Sequence, residues 1–285
     1  MAACTRRVFG VVVVGVGIAG RVRIRDVQEC TCGLQLKGFV SRRQLDIPGV
    51  QQLGFDEALN DPDVHAVIVC SEPVSHEDFV QQALDNGKHV LVEYPVTPSS
   101  EAASNLYRKA ADKGLILHEE NIALLTETHR KLKDMAASKK LKSGSSSLVG
   151  KPFYSSVGEI QVLYDVFGDL KVAAASMDVS SSGLNYCGEF TPKNEQGKLS
   201  IKVERYKEKV QRSTSKYVEF EDGQVFDSQK EMSNVPPGPR KPGLFMQDLE
   251  IFAAKLHGER TVTDYEVTMS IRSLELAEEA NALLK

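Results

Sequence analysis

Three glycines follow a run of four valines in Val11-Val-Val-Val-Gly15-Val16-Gly17-Ile18-Ala19-Gly20, and their G-x-G-x-x-G spacing suits a turn that holds a pyrophosphate. Gly15 would permit a tight strand-to-helix turn, Gly17 a close approach of backbone to phosphate, and Gly20 close packing of the next helix on the strand. A helix over 17–28 would aim its unpaired N–H groups and the positive end of its dipole at the phosphates. The spacing alone also fits a ligand-free turn. The apolar strand before it and the helix after it favour a dinucleotide.

A second set of chemical groups stands about 20 residues on, where NAD-binding turns place an acidic residue against the ribose 2′-hydroxyl. Here the strand over 34–40 ends instead in Ser41-Arg42-Arg43. A carboxylate would repel a 2′-phosphate, whereas two guanidiniums and a hydroxyl would hold one. The expected cofactor is therefore NADPH (NADP+).

Two further loops leave the carboxyl ends of apolar runs, the edge at which open α/β sheets bind ligands. The first is Ser71-Glu72-Pro73-Val74-Ser75-His76, in which Pro73 marks a loop and Ser75 can cap a helix running to 86. This loop should pass over the ribose and nicotinamide; His76, in the first helical turn, reads as a local hydrogen-bonding residue ahead of a catalytic one. The second is Glu93-Tyr94-Pro95, where proline biases Tyr94 towards an extended backbone that would aim its ring at the cleft.

These groups need a scaffold, and the order of periodic segments supplies one. Strands are predicted over 34–40, 50–53, 66–70, 88–92 and 115–117, and helices over 56–59, 75–86 and 99–113, with Asn121 capping a further helix to about 137. With the first strand and helix this is a doubly wound parallel sheet, a Rossmann domain over 1–121. Beyond it, a Gly/Ser/Lys-rich tract at 139–147 reads as a loop and 157–167 as a helix ended by Gly168. Strands follow over 170–179, 199–206, 216–220 and 224–226, the last two joined by a turn at Asp222-Gly223. Pro236-Pro-Gly-Pro239 reads as an extended loop, and 244–256 and 265–284 as amphipathic helices. Strands in succession imply an α+β domain over 122–285 with a large, mainly antiparallel open sheet.

Composition sets the outer limits: 285 residues, 41% hydrophobic and 26% charged with a net charge of −4, describe an ordinary globular protein of about two domains. Nothing in that balance points to nucleic acid or an anionic membrane, and the apolar run 9–19 is too short to span a bilayer. It lacks a signal-peptide cleavage signature, so a cytoplasmic protein is expected. Cys4, Cys30, Cys32, Cys70 and Cys187 are odd in number and scattered, and read as reduced structural thiols; Cys30-Thr31-Cys32 has no second pair or histidine nearby to complete a zinc site.

The glycine turn, the Glu93-Tyr94-Pro95 loop and the helix opened by Ser75-His76 together resemble the glucose–fructose oxidoreductase/inositol dehydrogenase family, most members of which carry Glu-Lys-Pro at that loop. With Gly38-Phe-Val-Ser-Arg-Arg43, Cys70-Ser-Glu72 and Leu117-His-Glu-Glu120, the resemblance narrows to the members that reduce linear tetrapyrroles, and tyrosine in place of lysine is specific to it. It implies an NADPH-dependent reductase that delivers hydride to the central methine carbon of biliverdin and yields bilirubin. It implies cofactor contacts at Val16, Gly17, Ile18 and Ala19, at Ser41, Arg42 and Arg43, at Pro73, Val74, Ser75 and His76, and at Tyr94. The catalytic expectation falls on Tyr94, whose hydroxyl would donate to or orient the substrate, and on Glu93 beside the nicotinamide ribose or carboxamide; a tyrosine packing a domain interface is the alternative. A monomer or weak oligomer is expected.

The chain also departs from the pattern. Residues 142–153 look shortened, Glu159 stands where an arginine near the substrate is expected, and no Cys/His cluster closes the C-terminus, so no zinc is expected. The helix over 157–167 lacks the Asp/His pair with which sugar dehydrogenases of the family deprotonate a hydroxyl, which disfavours polyol oxidation. A non-catalytic NADP-binding sensor or scaffold is the other alternative.

Overall fold

The structure, a computed structural model, describes residues 7–194, 196–233 and 242–284. Chain contacts divide it into two compact units, Met1–Ile122 with Lys241–Thr268, and Ala123–Arg240 with Met269–Lys285.

In the first unit β1 (Phe9–Val14), α1 (Ile18–Glu29), β2 (Leu34–Val40), α2 (Phe55–Asn60), β3 (Ala66–Val69), α3 (His76–Asp85), β4 (His89–Val92), α4 (Ser100–Asp112) and β5 (Leu117–Glu119) alternate along the chain. The strands form one parallel sheet in the order β2-β1-β3-β4-β5. Successive connections run outward from β1 in opposite directions, so a crevice opens at the carboxyl ends of β1 and β3. Every residue of β1 is buried, as expected of a β-branched run covered on both faces. The short strand expected over 50–53 reduces to isolated bridges, Phe39 to Gln52 and Ile47 to Val50.

The second unit holds α5 (Glu127–Ala136), β6 (Leu141–Val149), α6 (Ser155–Phe167), β7 (Leu170–Val179), β8 (Gly183–Pro192), β9 (Lys198–Tyr206), β10 (Ser213–Phe220), β11 (Val225–Asp227) and α7 (Ser228–Ser233). Its six strands lie in the order β11-β10-β6-β9-β8-β7, antiparallel except for the β6–β9 pair. Gly168 ends α6 at φ +76°, and Gly223 at φ +82° turns β10 into β11. Ile160 and Leu163 of α6 pack with Leu148, Phe190, Ile201, Val218 and Phe220 on one face of this sheet.

Several expectations are corrected here. The tract read as a loop at 139–147 contains most of β6, a strand flanked by β10 and β9. A Cβ on its Gly144 would come within 2.8 Å of Leu199 Cδ2, so the glycine leaves room for that buried side chain while the tract's composition mimics a loop. Thr126, and not Asn121, caps α5 by accepting from the His129 N–H, and residues 122–125 form a short 3-10 turn before it. The Pro236–Pro239 loop lies outside the described residues.

The domain division differs most. Residues 241–268 were expected in the second domain, yet α8 (Leu244–Leu256) packs in the first unit, with Leu249, Phe252 and Ala253 fully buried among Val11, Ile24 and Val27. At about 1.5–3 kcal/mol for each large apolar side chain removed from water, that face stabilises its position in the first unit. The last helix, α9 (Asp264–Ala282), contributes residues to both units.

Candidate dinucleotide site and its buried support

Gly15, after β1, adopts φ +87°, and a Cβ there would sit 2.8 Å from Cys70 O and Ser71 N. A Cβ on Gly20 would lie 1.9 Å from Gly15 O, so the fold itself requires both glycines. Gly17 differs: a Cβ there meets no protein atom within 4 Å. Its bare backbone therefore serves an open space above the turn, as a pyrophosphate cradle demands. Gly17 caps α1 with no side-chain bond, and the first turn holds no acidic residue, so the N–H groups and the dipole end remain available to phosphate.

A cavity of about 570 Å³ lies over this turn, lined by Gly15, Val16, Gly17, Ser41, Arg42, Arg43, Ser71, Glu72, Ser75 and Phe79. The structure thus joins the glycine turn, the Ser41-Arg42-Arg43 strand end and Ser75. Arg42 and Arg43 are exposed at its rim. Gln52, which the sequence did not single out, fixes the loop: its amide donates to Ser41 O and Arg43 O, 3.0 Å each, and its carbonyl accepts from the Leu45 N–H at 2.9 Å. Ser41 Oγ accepts from the Arg43 N–H.

The other candidates fall outside that lining. Ile18 and Val74 are each 84% exposed, Ala19 and Pro73 are half-buried, and Gly20 is buried. Ser75 stands at the start of α3 without capping it; its hydroxyl bonds Glu72 O at 2.8 Å and Ser71 Oγ at 3.0 Å. His76 is wholly buried: Nδ1 lies 2.8 Å from Pro95 O and Nε2 2.9 Å from Ser71 O. Burial holds its pKa below the ordinary histidine range despite the two carbonyls. His76 is a strut between the loops that follow β3 and β4.

Tyr94 is half-buried on the second of these loops, before the cis bond to Pro95. The Val96 N–H donates to Glu119 Oε1 at 2.7 Å and pins the far side of the loop. Glu93, expected beside the nicotinamide, is turned to an internal partner: Arg23 Nε donates to its Oε1 at 2.9 Å. Arg23, fully buried on α1, also donates to Asp248 Oδ2 at 2.6 Å and to Phe245 O at 3.0 Å. His118 Nε2 bonds Asp248 Oδ1 at 3.0 Å, and Lys255 Nζ lies 3.1 Å from His118 Nδ1 and donates to Glu266 Oε1 at 2.8 Å. Burial works against the Arg23 charge, but Glu93 and Asp248 more than offset it and raise its pKa. Burial likewise raises Glu93, and with Glu93 and Asp248 nearby it pushes the buried Glu120 up to about 8. This chain of groups holds the loop carrying Tyr94 against α1 and α8.

In the second unit, Glu159 is 4% exposed, accepts from Ser146 Oγ at 2.7 Å and pairs with Lys216 Nζ at 2.9 Å. Its charge is met inside the unit by β6 and β10. Among the described residues no group of three or more His, Cys, Asp or Glu could hold a metal ion, and no helix is long and apolar enough to cross a membrane.

The chain is similar to known proteins along most of its length. The chain is 36% identical to biliverdin reductase A of Mus musculus over 98% of this chain and 97% of the mouse protein, and 37% identical to biliverdin reductase A of Homo sapiens over 89% and 88%. Its fold matches the crystal structure of biliverdin reductase from Synechocystis sp. PCC 6803 in complex with biliverdin and NADP+, with a TM-score of 0.77 and 20% identity over 96% of this chain and 98% of that one. A 3-ketoreductase from Actinomadura kijaniata in complex with NADP matches with a TM-score of 0.78 and 19% identity over 98% of each chain. The family profile described as "Oxidoreductase family, NAD-binding Rossmann fold" covers residues 9–121. The first unit is thus a Rossmann domain of an NAD(P)-dependent family, and the cradle's paired arginines carry the charge that a 2′-phosphate of NADP(H) would meet. By its profile and its full-length similarity, the chain belongs to the GFO/IDH/MocA oxidoreductase family.

Proposed function

We propose that this chain is an NADPH-dependent reductase of a linear tetrapyrrole, converting biliverdin to bilirubin at the central methine carbon. The observation that carries this reading is the similarity to mouse biliverdin reductase A along nearly the whole of both chains, second unit included. The arginine-lined cradle and the tyrosine at the Glu93-Tyr94-Pro95 loop support it.

NADPH, when bound, supplies the hydride. The residues that would hold it are the backbone of Gly15 to Gly17 for the pyrophosphate and Ser41, Arg42 and Arg43 for the 2′-phosphate. The chain's own task is positional: to fix an extended conjugated acceptor at about 3–3.5 Å from the donor carbon and keep water from the encounter. Tyr94 is the side chain that would donate to a substrate carbonyl or orient the ring system, and His76 and Glu119 brace its loop through Pro95 O and the Val96 N–H. Glu93 acts through Arg23 as a positioning residue.

The test is a mixture of protein, NADPH and biliverdin taken to high micromolar substrate. The reading predicts that the green long-wavelength absorbance gives way to the yellow band of bilirubin in step with NADPH loss. If titration shows NADPH bound and no bleaching follows, the non-catalytic sensor becomes the better account.

A further inference from the structure

Away from the cradle, the chain places two thiols together where α1 ends. Cys30 caps that helix, its N–H bonded to Asp26 O at 2.9 Å, and Cys32 lies two residues on. Cys32 Sγ stands 2.7 Å from Cys30 Sγ, so the two sulfurs are direct neighbours. The backbone around the pair is held on both sides. Gly33, at φ +82°, gives its carbonyl to the Phe9 N–H, and His257 Nε2 lies 3.2 Å from Cys32 O. Thus β1 and His257, just after α8, fix the segment that carries both sulfurs.

The two thiols differ in a useful way. Cys30 is half-buried and borders a groove of about 380 Å³ shared with Val27, Gln28, Leu34, Lys37 and Gln51, whereas Cys32 is buried. The hydrogen bond from Cys32 holds the Cys30 thiol down to about 6, and the backbone at Cys32 and Leu34 adds to this against burial; the Cys32 thiol is raised, first by its bond to Cys30. A partly exposed cysteine with thiolate character beside a buried thiol within reach is the arrangement of an attacking and a resolving cysteine.

We propose that Cys30 and Cys32 form a peroxide-reactive dithiol that closes reversibly to a disulfide. The Cys30 thiolate attacks one oxygen of a hydroperoxide and the O–O bond breaks, leaving Cys30 as a sulfenic acid while the departing oxygen takes a proton and leaves as an alcohol, or as water from hydrogen peroxide. Cys32 then attacks the Cys30 sulfur; the S–S bond forms, the S–O bond breaks, and the hydroxyl leaves as water with the Cys32 proton. Two thiols lose two electrons and one peroxide gains them. Phe9 and Leu34 pair at the start of their strands, so the dithiol lies about 20 Å along β1 from Gly15 and acts as a site separate from the dinucleotide cradle.

The experiment treats the reduced full-length protein with hydrogen peroxide, alkylates the remaining thiols and digests with trypsin. Cleavage after Arg25 and Lys37 leaves both cysteines in one peptide, 26–37. The expected result is that this peptide becomes lighter by two hydrogens and resists alkylation until dithiothreitol is added. In Cys32→Ser, the sulfenic acid should instead persist at Cys30 and be trapped by dimedone, with little or no adduct in the wild type. The proposal is overturned if peptide 26–37 keeps two alkylatable thiols under peroxide that oxidises Cys187, or if wild type and Cys32→Ser give equal dimedone adducts at Cys30.

Discussion

Arg23 Nε donates to Glu93 Oε1 at 2.9 Å, and this bond ties the helix opened by the dinucleotide turn to the loop that carries Tyr94. The guanidinium is fully buried and meets Asp248 as well. Removing it leaves two carboxylates inside the unit with their cation gone. Arg23→Met should therefore destabilise the protein by about 3–5 kcal/mol, the range for breaking a buried ion pair from one side. Denaturant unfolding measures it, and a loss below about 1 kcal/mol would show that the network is not structural.

Glu120 gives the same network a pH signature. Its folded pKa, about 8, lies above the unfolded value of 4.5, so between these the folded state holds a proton that the unfolded state has released. Stability attributable to this group is greatest below pH 4.5, falls as pH rises towards 8 at up to about 1.4 kcal/mol per pH unit, and levels off above. Glu120→Gln should remove that slope. Unfolding free energies across pH 5 to 8 for both proteins decide the matter, and parallel curves would count against it.

Much of the first unit was legible because its signals are local. The valine run, the glycines and Ser41-Arg42-Arg43 sit within 33 residues, and each reports on its own stretch of backbone. Arg23 was not legible: its partners lie 70 and 225 residues away, and an arginine on a helix between Arg21 and Arg25 reads as solvent-facing. Asp248 carried no local mark either, so the return of α8 to the first unit was missed. The strand β6 was hidden by residues chosen for smallness, Gly144 under Leu199 and Ser146 against Glu159. His76 reads as locally bonded, and its Nε2 lies 2.9 Å from Ser71 O five residues before it; its other ring nitrogen faces a carbonyl on a loop 19 residues on.

The arginine pair predicts cofactor choice. With charge-assisted bonds worth about 1.5–3 kcal/mol, NADPH should bind about ten- to a hundredfold more tightly than NADH. Arg42→Ala with Arg43→Ala should remove most of that difference while the protein stays folded, both side chains being exposed. Dissociation constants for the two dinucleotides test this, and equal wild-type values would refute it.

Tyr94→Phe separates a hydroxyl role from a packing role. An orienting hydroxyl predicts a kcat/KM about three- to a hundredfold lower, equivalent to about 0.5–3 kcal/mol, with NADPH affinity held. An unchanged rate returns Tyr94 to packing.

The most direct test of the proposed reaction follows the hydride itself. NADPH deuterated at one or the other face of the nicotinamide C4 is mixed with the protein and biliverdin, and the product is examined by mass spectrometry and NMR. The account predicts that one of the two labelled cofactors yields bilirubin with a single deuterium on the central bridging carbon and that the other yields unlabelled bilirubin. Label at any other carbon, or no bilirubin from a protein that binds NADPH, would contradict it.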